Sequence, residues 1–395
     1  MSTTRRWISF LMVFLVGLAG FINMFKCAPL MPALLGSDLG FTPDTIGWMM
    51  SMFGIIGAIL AFPAGIFINK FGLKVTLVTS IACSAAGSIL GAMSPSAIML
   101  LATRVLEGAG VGFAGVAGSV AVTRLLPAKR QGFGQALNID TFPLGTLLAM
   151  NVAPMLLAAG GGSWQTPWWT FGIFAAVCLV LVVLFFKLPE DEPASEEAKR
   201  AHGDAAAAPM GKPKWVPIVL FAVTFALYAT VQGGAVSTFY PTYLQQVMGL
   251  DVQASGSITS ISSLIVLFVS PFAGAFADKV GHRKLFVGIG CLVMAIGMPV
   301  AFAGNMVLVW VFSVALGLVM CVVPPNVYAM VPPLAGNPKS IVFAMALLGV
   351  AQNVGTALGS ALMGPLSATS WSLAATVLAV LAAVAGVASL VARTK

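Results

Sequence analysis

Charged residues are scarce in this sequence. Asp, Glu, Lys and Arg make up 8% of its 395 residues, whereas about 25% is usual for a soluble domain. Hydrophobic residues account for 59%, and the mean hydropathy is +1.00. This composition excludes a soluble globular protein and predicts a polypeptide that crosses a lipid bilayer many times.

Residues that carry metal or covalent chemistry are also few. The chain has two histidines and five cysteines, and no two cysteines form a CxxC pair. It holds no nucleophile with a base at a workable spacing and no glycine-rich loop that would hold a phosphate. We therefore expect no metal, no cofactor and no enzymatic activity, and any transport would be driven by gradients.

Twelve apolar runs are long enough to span a bilayer as helices. The first run is too long for a cleaved signal peptide, so we expect it to be retained. The runs cover residues 7–33, 45–69, 73–93, 97–124, 132–158, 165–187, 215–247, 253–277, 284–304, 306–334, 340–366 and 369–392.

Basic residues mark one side of this predicted membrane protein. Of the 20 Lys and Arg residues, 18 lie at run ends or in loops of one side, whereas the opposite loops hold Asp38, Asp44 and Asp251. The positive-inside rule therefore places both termini in the cytoplasm, with the chain in the inner (plasma) membrane. This placement explains the net charge of +8 without a nucleic-acid partner.

The predicted spans fall into two halves. Residues 188–214, "LPEDEPASEEAKRAHGDAAAAPMGKPK", are polar and predict a cytoplasmic linker between two six-helix bundles, residues 1–187 and 215–395. The halves align at an offset near 209, for example "GIFINKFGLK" with "GAFADKVGHR". Internal repeats of this kind are typical of membrane transporters.

Two kinds of motif resemble the major facilitator superfamily. "GAFADKVGHRK" resembles the family's G-x-x-x-D-[RK]-x-G-[RK]-[RK] loop between helices 2 and 3, and "GIFINKFGLK" is its first-half copy with Asn69 in place of Asp. "RVLEGAGVG" resembles the family's helix-4 motif R-x-x-x-G-x-G. The resemblance implies an all-α membrane protein with twelve transmembrane helices in two six-helix bundles, a monomer that works by alternating access.

The resemblance also implies a gating role for the two loop copies. In this family the loop Asp is thought to pair with a neighbouring helix and to bias which side is closed, and Asn69 keeps only the hydrogen bonding of that Asp. A purely topological role for both loops is the alternative. The predicted gating residues are Asn69, Lys70, Gly72, Asp278, Lys279, Gly281 and Arg283.

Four ionisable residues lie well inside the apolar runs, all in the first half: Lys26, Arg104, Glu107 and Asp140. The aligned positions of the second half are uncharged, so the repeat scaffold does not require these costly groups. We predict that Lys26 and Arg104, with Asn23 on the same helix face as Lys26, converge on a hydrated central cavity and bind a small anion. The alternatives are a Lys26 that reaches the outer interface and an Arg104 paired structurally with Glu107.

Asp140 and Glu107 are the predicted proton carriers, because a desolvated carboxylate binds a proton more readily than one in water. For Asp140, a permanent salt bridge to Lys26 or Arg104 is the alternative. The second half offers neutral side chains that would contact the substrate, although such groups often only satisfy one another. These predicted substrate contacts are Gln232, Tyr240, Tyr243, Asn326, Tyr328, Gln352 and Asn353.

Together these features predict a proton-coupled symporter, a secondary active transporter that carries a small, carboxylate-like organic anion across the lipid bilayer. The alternative is a multidrug or cation/proton antiporter, in which Arg104, Glu107 and Asp140 exchange protons for a lipophilic cation. Some tracts resemble the bacterial cyanate- and nitrate-permease-like branch of the family. The glycine-rich nitrate signature is not matched, so nitrate itself is disfavoured.

Overall fold

A computed structural model describes residues 3–188, 213–336 and 338–392, and within these ranges the chain is helical with no strand. The predicted linker, 188–214, lies almost wholly outside the described residues. We number the long helices in chain order. They are α1 Thr3–Phe25, α2 Trp48–Phe71, α3 Leu73–Ala92, α4 Ala97–Leu125, α5 Ala128–Ala159, α6 Gln165–Phe185, α7 Trp215–Ala229, α8 Val252–Val280, α9 Arg283–Ala301, α10 Met306–Ala335, α11 Pro338–Thr369 and α12 Trp371–Val391.

The number of membrane spans agrees with the prediction. Among the described residues, 11 helices are long and apolar enough to cross a bilayer, or 12 when the bent pair Trp48–Leu60 and Pro63–Phe71 in α2 is one span. The two parts of α2 are inclined by 57°. Pro63 stands at this bend, where it removes a backbone donor from the helical ladder.

The first predicted run is not one continuous helix. α1 ends at Phe25, and a 3₁₀ turn Ala28–Leu30 and a short helix Met31–Leu35 follow. Pro29 lies within this 3₁₀ turn and lacks the N–H that a continuing α-helix would need. The break places Lys26 directly after the last residue of α1, where the helix leaves its backbone carbonyls without intrahelical partners.

The matching helix of the second half is also irregular. After α7 the chain forms a π-helical segment, Thr230–Val236, and then a helix, Ser237–Gln246. Gly234 allows this segment to lie against α11, since a Cβ there would be 2.3 Å from the Thr356 carbonyl oxygen. Both repeats therefore break their first helix at about the same depth.

We call the end of the bundle that holds Thr3 and Ala392 the terminal end, and the opposite end the distal end. At the terminal end, the Ser9 hydroxyl of α1 donates to the Lys187 carbonyl at 2.7 Å. The α2–α3 and α8–α9 turns are also at this end, and Gly72 and Gly281 reverse the chain there with φ of 86° and 73°. These positive values are the ones that glycine adopts most easily.

The two halves are joined at the distal end. The Ser51 hydroxyl of α2 donates to the Ala357 carbonyl of α11 at 2.8 Å. Asn151 of α5 bonds Ser257 at 2.7 Å and Ser260 at 2.9 Å, both on α8. We call these interhelical bonds, with the close packing of Gly47, Gly54 and Gly256 around them, the distal contact.

Toward the terminal end, the same helix faces separate. Ser360 of α11 packs against Gly47, the residue before α2, whose Cβ position lies 2.3 Å from the Ser360 carbonyl oxygen. Gly349 occupies the same face about three turns earlier, and no atom of the described residues lies within 4 Å of its Cβ position. The halves therefore close at the distal end and leave a gap at the terminal end.

Candidate functional site

Three buried ionisable side chains form one cluster inside the first half. Lys26 Nζ donates to Glu107 Oε1 at 2.7 Å, and Arg104 donates to Glu107 Oε2. All three side chains are fully buried. Each oxygen of the single carboxylate is thus held by a different cation. We call Lys26, Arg104 and Glu107 the charged cluster.

Lys26 is surrounded by polar groups from three helices. Its ammonium also donates to Asn23 Oδ1 at 2.8 Å and to Ser88 Oγ of α3 at 2.6 Å. The Trp168 ring of α6 lies 4.8 Å from Nζ and adds a cation–π contact. All three ammonium hydrogens therefore have acceptors.

Arg104 binds the broken end of α1 and the start of α2. Its guanidinium donates to the carbonyls of Asn23 and Met24 at 2.8 Å each, and to the carbonyl of Met49 at 2.9 Å. Phe53 stacks on the guanidinium at 4.7 Å. Arg104 therefore satisfies carbonyls that α1 leaves unpaired at its C-terminus, and its charge complements the helix dipole.

Glycines allow the helices around the cluster to come close. A Cβ at Gly87 of α3 would lie 2.6 Å from Glu107 Cγ, and a Cβ at Gly108 of α4 would lie 2.6 Å from the Phe53 carbonyl oxygen. Larger residues at these positions would move α3 and α2 away from α4. The glycine after Glu107 in "RVLEGAGVG" thus has a packing role that the sequence alone did not reveal.

The cluster carries an excess positive charge. Two cations and one carboxylate sum to +1 when all three are ionised, and solvent reaches none of them. Charges removed from water are stable only when they are paired and hydrogen-bonded. The cluster therefore attracts an anion and repels a cation.

Helix α2 lies between the charged cluster and the distal contact. On one side, α2 presents the Met49 carbonyl and the Phe53 ring to Arg104. On another side, Ser51 and Gly54 of the same helix lie against α11. Helix α2 therefore contacts both the charged cluster and the opposite half.

The surroundings of the two cations differ from the prediction. We expected Lys26 and Arg104 to face water in a central cavity, but both are fully buried and bound to Glu107. Lys26 does not reach the outer interface, because Ser88 and Trp168 surround it inside the bundle. The Arg104–Glu107 pair, the alternative interpretation, is formed.

Asp140 lies apart from the charged cluster. It occupies the face of α5 that carries Asn151, about three turns closer to the terminal end. Its side chain is partly exposed and has no hydrogen bond or ion pair with another described residue. The alternative salt bridge to Lys26 or Arg104 is absent, since both cations bind Glu107 instead. Asp140 therefore lies in the gap between the halves.

The neutral candidates of the second half mostly bond within that half. Tyr240 donates to the Ala301 carbonyl at 3.1 Å, and Tyr243 accepts from the Gly304 amide at 2.9 Å. These two rings stack at 5.8 Å and are buried. They lie toward the distal end, and no hydrogen bond among the described residues joins either one to the charged cluster.

Two further candidates also bond locally. Gln232 donates to Ser237 Oγ at 3.0 Å, and Asn326 donates to the Val322 carbonyl at 2.7 Å. Asn326 is buried within α10. The structure gives these two amides a role in packing the second half.

Residues of α10 and α11 come closer to the interface between the halves. Tyr328 and Gln352 are joined at 3.3 Å and are partly exposed. Asn353 Oδ1 lies 3.7 Å from the Cβ position of Gly57 on α2. Asn353 thus lies where the two halves begin to separate, about one turn from Gly349.

The predicted gating residues all lie at the terminal end. Asn69, Lys70 and Gly72 end α2, and Lys279, Gly281 and Arg283 surround the α8–α9 turn. Lys70 is exposed, with its ammonium 5.3 Å from the Phe71 ring. The side chain of Asp278 lies outside the described part of the chain, so its predicted pairing stays a prediction.

Two residues of the cluster's surroundings were not predicted. Ser88 and Trp168 belong to α3 and α6, whereas we expected functional groups on helices 1 and 4. Ser88 connects them, since it accepts from Lys26 and donates to the Trp168 carbonyl at 2.8 Å. A buried serine and tryptophan in apolar runs give no sequence signal of this kind.

Comparison with known proteins identifies the family. The sequence profile of the Major Facilitator Superfamily matches residues 10–268 and 233–395. The chain therefore belongs to this superfamily of membrane transporters. The fold agrees: a crystal structure of a D-xylose–proton symporter superposes with a TM-score of 0.78 at 18% identity, covering 98% of this chain and 97% of that one.

Curated relatives are distant and are named for different activities. The chain is 23% identical to a probable sulfoacetate transporter of Cupriavidus necator, over 72% of this chain and 69% of that protein. It is 24% identical to a hexuronate transporter of Bacillus subtilis, over 69% and 64% of the two chains. It is 25% identical to a multidrug resistance protein B homolog of Mycobacterium tuberculosis, over 84% and 70%.

Proposed function

We propose that this transporter carries a small organic anion together with a proton, and that Glu107 couples the two. The observation that carries the proposal is the charged cluster, in which one carboxylate holds two buried cations. In this arrangement, Glu107 occupies the place that an anionic group of the cargo would take. Cargo and proton then share one site.

The coupling follows from electrostatics. Protonation of Glu107 would leave Lys26 and Arg104 as two buried cations without a counter-ion, an arrangement that is costly in a desolvated interior. An anion that binds the two cations removes this cost. Proton binding therefore favours anion binding, and by thermodynamic reciprocity anion binding favours protonation. This sign of coupling gives symport.

Alternating access would use the two halves as moving units. We propose that residues 1–187 and 215–395 rock about a central site, connected by the linker 188–214. In this proposal the terminal end faces the cytoplasm, as the positive-inside rule predicts, and the protein works as a monomer in the plasma membrane. The gap at the terminal end then belongs to an inward-open state, and outward opening requires the distal contact to break.

The neutral side chains nearest the gap complete the proposed route. Tyr328, Gln352 and Asn353 lie on the second half where it separates from the first. They offer hydrogen bonds to a cargo that is leaving the charged cluster toward the terminal end. Two of the relatives, named for sulfoacetate and for hexuronate, are named for organic anions, which supports an anionic cargo.

A second candidate is a cation/proton antiporter. Asp140 favours it, because this carboxylate lies in the gap without a partner among the described residues. The multidrug relative also favours it. The excess positive charge of the cluster opposes it, since a cationic cargo would be repelled.

Uptake by proteoliposomes tests the choice. A pH gradient with an acidic exterior should drive the wild type to accumulate a labelled organic anion, such as succinate or a hexuronate, inside the liposomes. Glu107→Gln should abolish gradient-driven accumulation, while the matched variant Asp140→Asn retains it. Loss of proton-driven cation efflux in Asp140→Asn, with no anion uptake by the wild type, would favour the antiporter instead.

A further inference from the structure

The indole N–H of Trp168 is an unused donor inside the protein. Trp168 is fully buried, and its Nε1 has no hydrogen-bond partner among the described residues. Buried polar groups in native proteins are nearly always hydrogen-bonded, so an unpaired one calls for an explanation. An indole N–H can only donate, and its missing partner must therefore be an acceptor.

This donor lies beside the charged cluster. The Trp168 ring is 4.8 Å from Lys26 Nζ. Ser88 accepts from Lys26 at 2.6 Å and donates to the Trp168 carbonyl at 2.8 Å, which fixes the indole next to the ammonium. Trp168 thus lies directly beside Lys26, one of the two cations of the charged cluster.

Glycine at position 91 lets the N–H edge of the indole pack closely against α3. A Cβ at Gly91 of α3 would lie 2.9 Å from Trp168 Nε1 and 3.0 Å from Thr103 Oγ1. Thr103 uses its own hydrogen on the Leu100 carbonyl at 2.7 Å. The position of the indole therefore depends on the absence of a side chain at residue 91.

The hydrogen-bond donors of the charged cluster would be available to an incoming anion only if Glu107 gave them up. The hydrogens of Lys26 are used by Asn23, Ser88 and Glu107. Glu107 accepts from both cations, one at each carboxylate oxygen. A group that replaced the Glu107 carboxylate would inherit these two donors and have Trp168 Nε1 as a third. A carboxylate presents its two oxygens in one plane, whereas a sulfonate presents three oxygens that point in three directions, one for each donor.

We propose that Trp168 Nε1 is the third donor of the anion site, and that the site selects cargo whose anionic head is a sulfonate. This inference rests on the proposed function and adds the chemical class of the cargo to it. A sulfonate stays ionised at every physiological pH and only accepts hydrogen bonds. It can therefore offer one oxygen to each of the two cations and one to the neutral donor.

The test compares two ligands that differ only in the head group. Binding of succinate and of 3-sulfopropanoate to the purified protein would be measured by calorimetry at a pH at which both are fully ionised. We expect the wild type to prefer the sulfonate by about ten-fold, the usual worth of one hydrogen bond to a charged group. Trp168→Phe keeps the ring and should remove this preference while succinate binding changes little.

Two further variants distinguish the loss of the N–H donor from a general disturbance of the structure. Trp164→Phe is the matched control, since Trp164 packs against Trp168 with ring centroids 5.7 Å apart, and it should keep the preference. Gly91→Ala leaves the indole in the protein but blocks its N–H edge, and it should lose the preference as Trp168→Phe does. If Trp168→Phe is too unstable to purify, Gly91→Ala provides the same comparison.

The outcomes distinguish a failure of the role of Trp168 from a failure of the proposed function. A wild type without a preference for 3-sulfopropanoate, or a preference that survives both Trp168→Phe and Gly91→Ala, overturns the role of Trp168. In that case proton-driven uptake that depends on Glu107 still supports the proposed function. A protein that binds neither ligand and moves no anion overturns the proposed function itself.

Discussion

The two halves of this protein share a repeat but differ in what they bury. At the aligned positions of Lys26, Arg104 and Glu107, the second half has Ala235, Ser313 and Leu316, all of them buried. Ser313 bonds only the Val309 carbonyl, one turn earlier in its own helix. The six-helix scaffold therefore folds without ionised residues at these positions. The proposed function gives the charges of the first half a role that the shared scaffold does not require.

The largest expected effect comes from breaking the charged cluster at one position. Glu107→Leu, which introduces the residue of the second half, leaves two buried cations without a counter-ion. We expect this variant to lose about 3–5 kcal/mol of stability, because an unpaired buried charge is strongly destabilising. Thermal unfolding of the detergent-solubilised protein measures the loss.

A second variant makes the two halves alike at these positions. The triple variant Lys26→Ala, Arg104→Ser, Glu107→Leu carries the residues of the second half at all three positions. This variant leaves no unpaired charge in the interior, so it should be more stable than Glu107→Leu and yet move no anion. A triple variant that is as unstable as the single one would show that the cluster is needed for folding.

The next effect concerns the contact between the halves. A Cβ at Gly256 would lie 2.0 Å from the Met150 carbonyl oxygen across the distal contact. Gly256→Ala should therefore destabilise the distally closed state by about 1–3 kcal/mol, the usual range for overpacking. A cysteine at Ser260, in a background without the five native cysteines, should react faster with a membrane-impermeant maleimide.

The matched control is a glycine at the gap, toward the terminal end. Gly349→Ala adds the same methyl group where no described atom lies within 4 Å, and the labelling rate should not change. Equal rates in Gly256→Ala and the parent protein would contradict the assignment of this region as the closed side.

A smaller effect is expected at the hydrogen bond between Lys26 and α3. Ser88→Ala removes one acceptor of the ammonium and the donor to the Trp168 carbonyl. The expected loss is about 1–3 kcal/mol of stability, since a buried charged donor is left unpaired. Ser84→Ala, one turn earlier, removes a hydroxyl that bonds only its own helix at Ser80 and should change stability by less than about 0.5 kcal/mol.

The smallest effect is expected at Asp140. Because this side chain has no partner among the described residues, Asp140→Asn should change anion uptake by no more than about two-fold. Uptake at several external pH values, compared with Glu107→Gln, measures this. A proton requirement that disappears in Asp140→Asn and persists in Glu107→Gln would move the coupling from the cluster to the gap.

Much of the architecture could be predicted because it depends on local patterns. Apolar runs, basic loops and turn glycines such as Gly72 and Gly281 repeat along the chain. Each of these features can be recognised from a stretch of about twenty residues. The four intramembrane charges were found for the same reason, since Lys26 and Asp140 are conspicuous in apolar surroundings.

The geometry of the site could not be predicted, because it depends on contacts between distant residues. Lys26 meets Ser88 and Glu107 only once α1, α3 and α4 are packed, and the sequence does not show which face of α1 turns inward. The break after Phe25 decides this, since Arg104 binds the carbonyls that the break leaves free. We therefore predicted a cation that faces water where the structure has one that faces a carboxylate.

Proton binding that accompanies anion binding tests the central claim most directly. The purified protein would be mixed with the anion in weakly buffered solution while the pH is recorded. We expect the wild type to take up about one proton for each anion bound, and Glu107→Gln to bind the anion without taking up a proton. Anion binding to the wild type with no change in pH, or the same proton uptake by Glu107→Gln, would contradict the account.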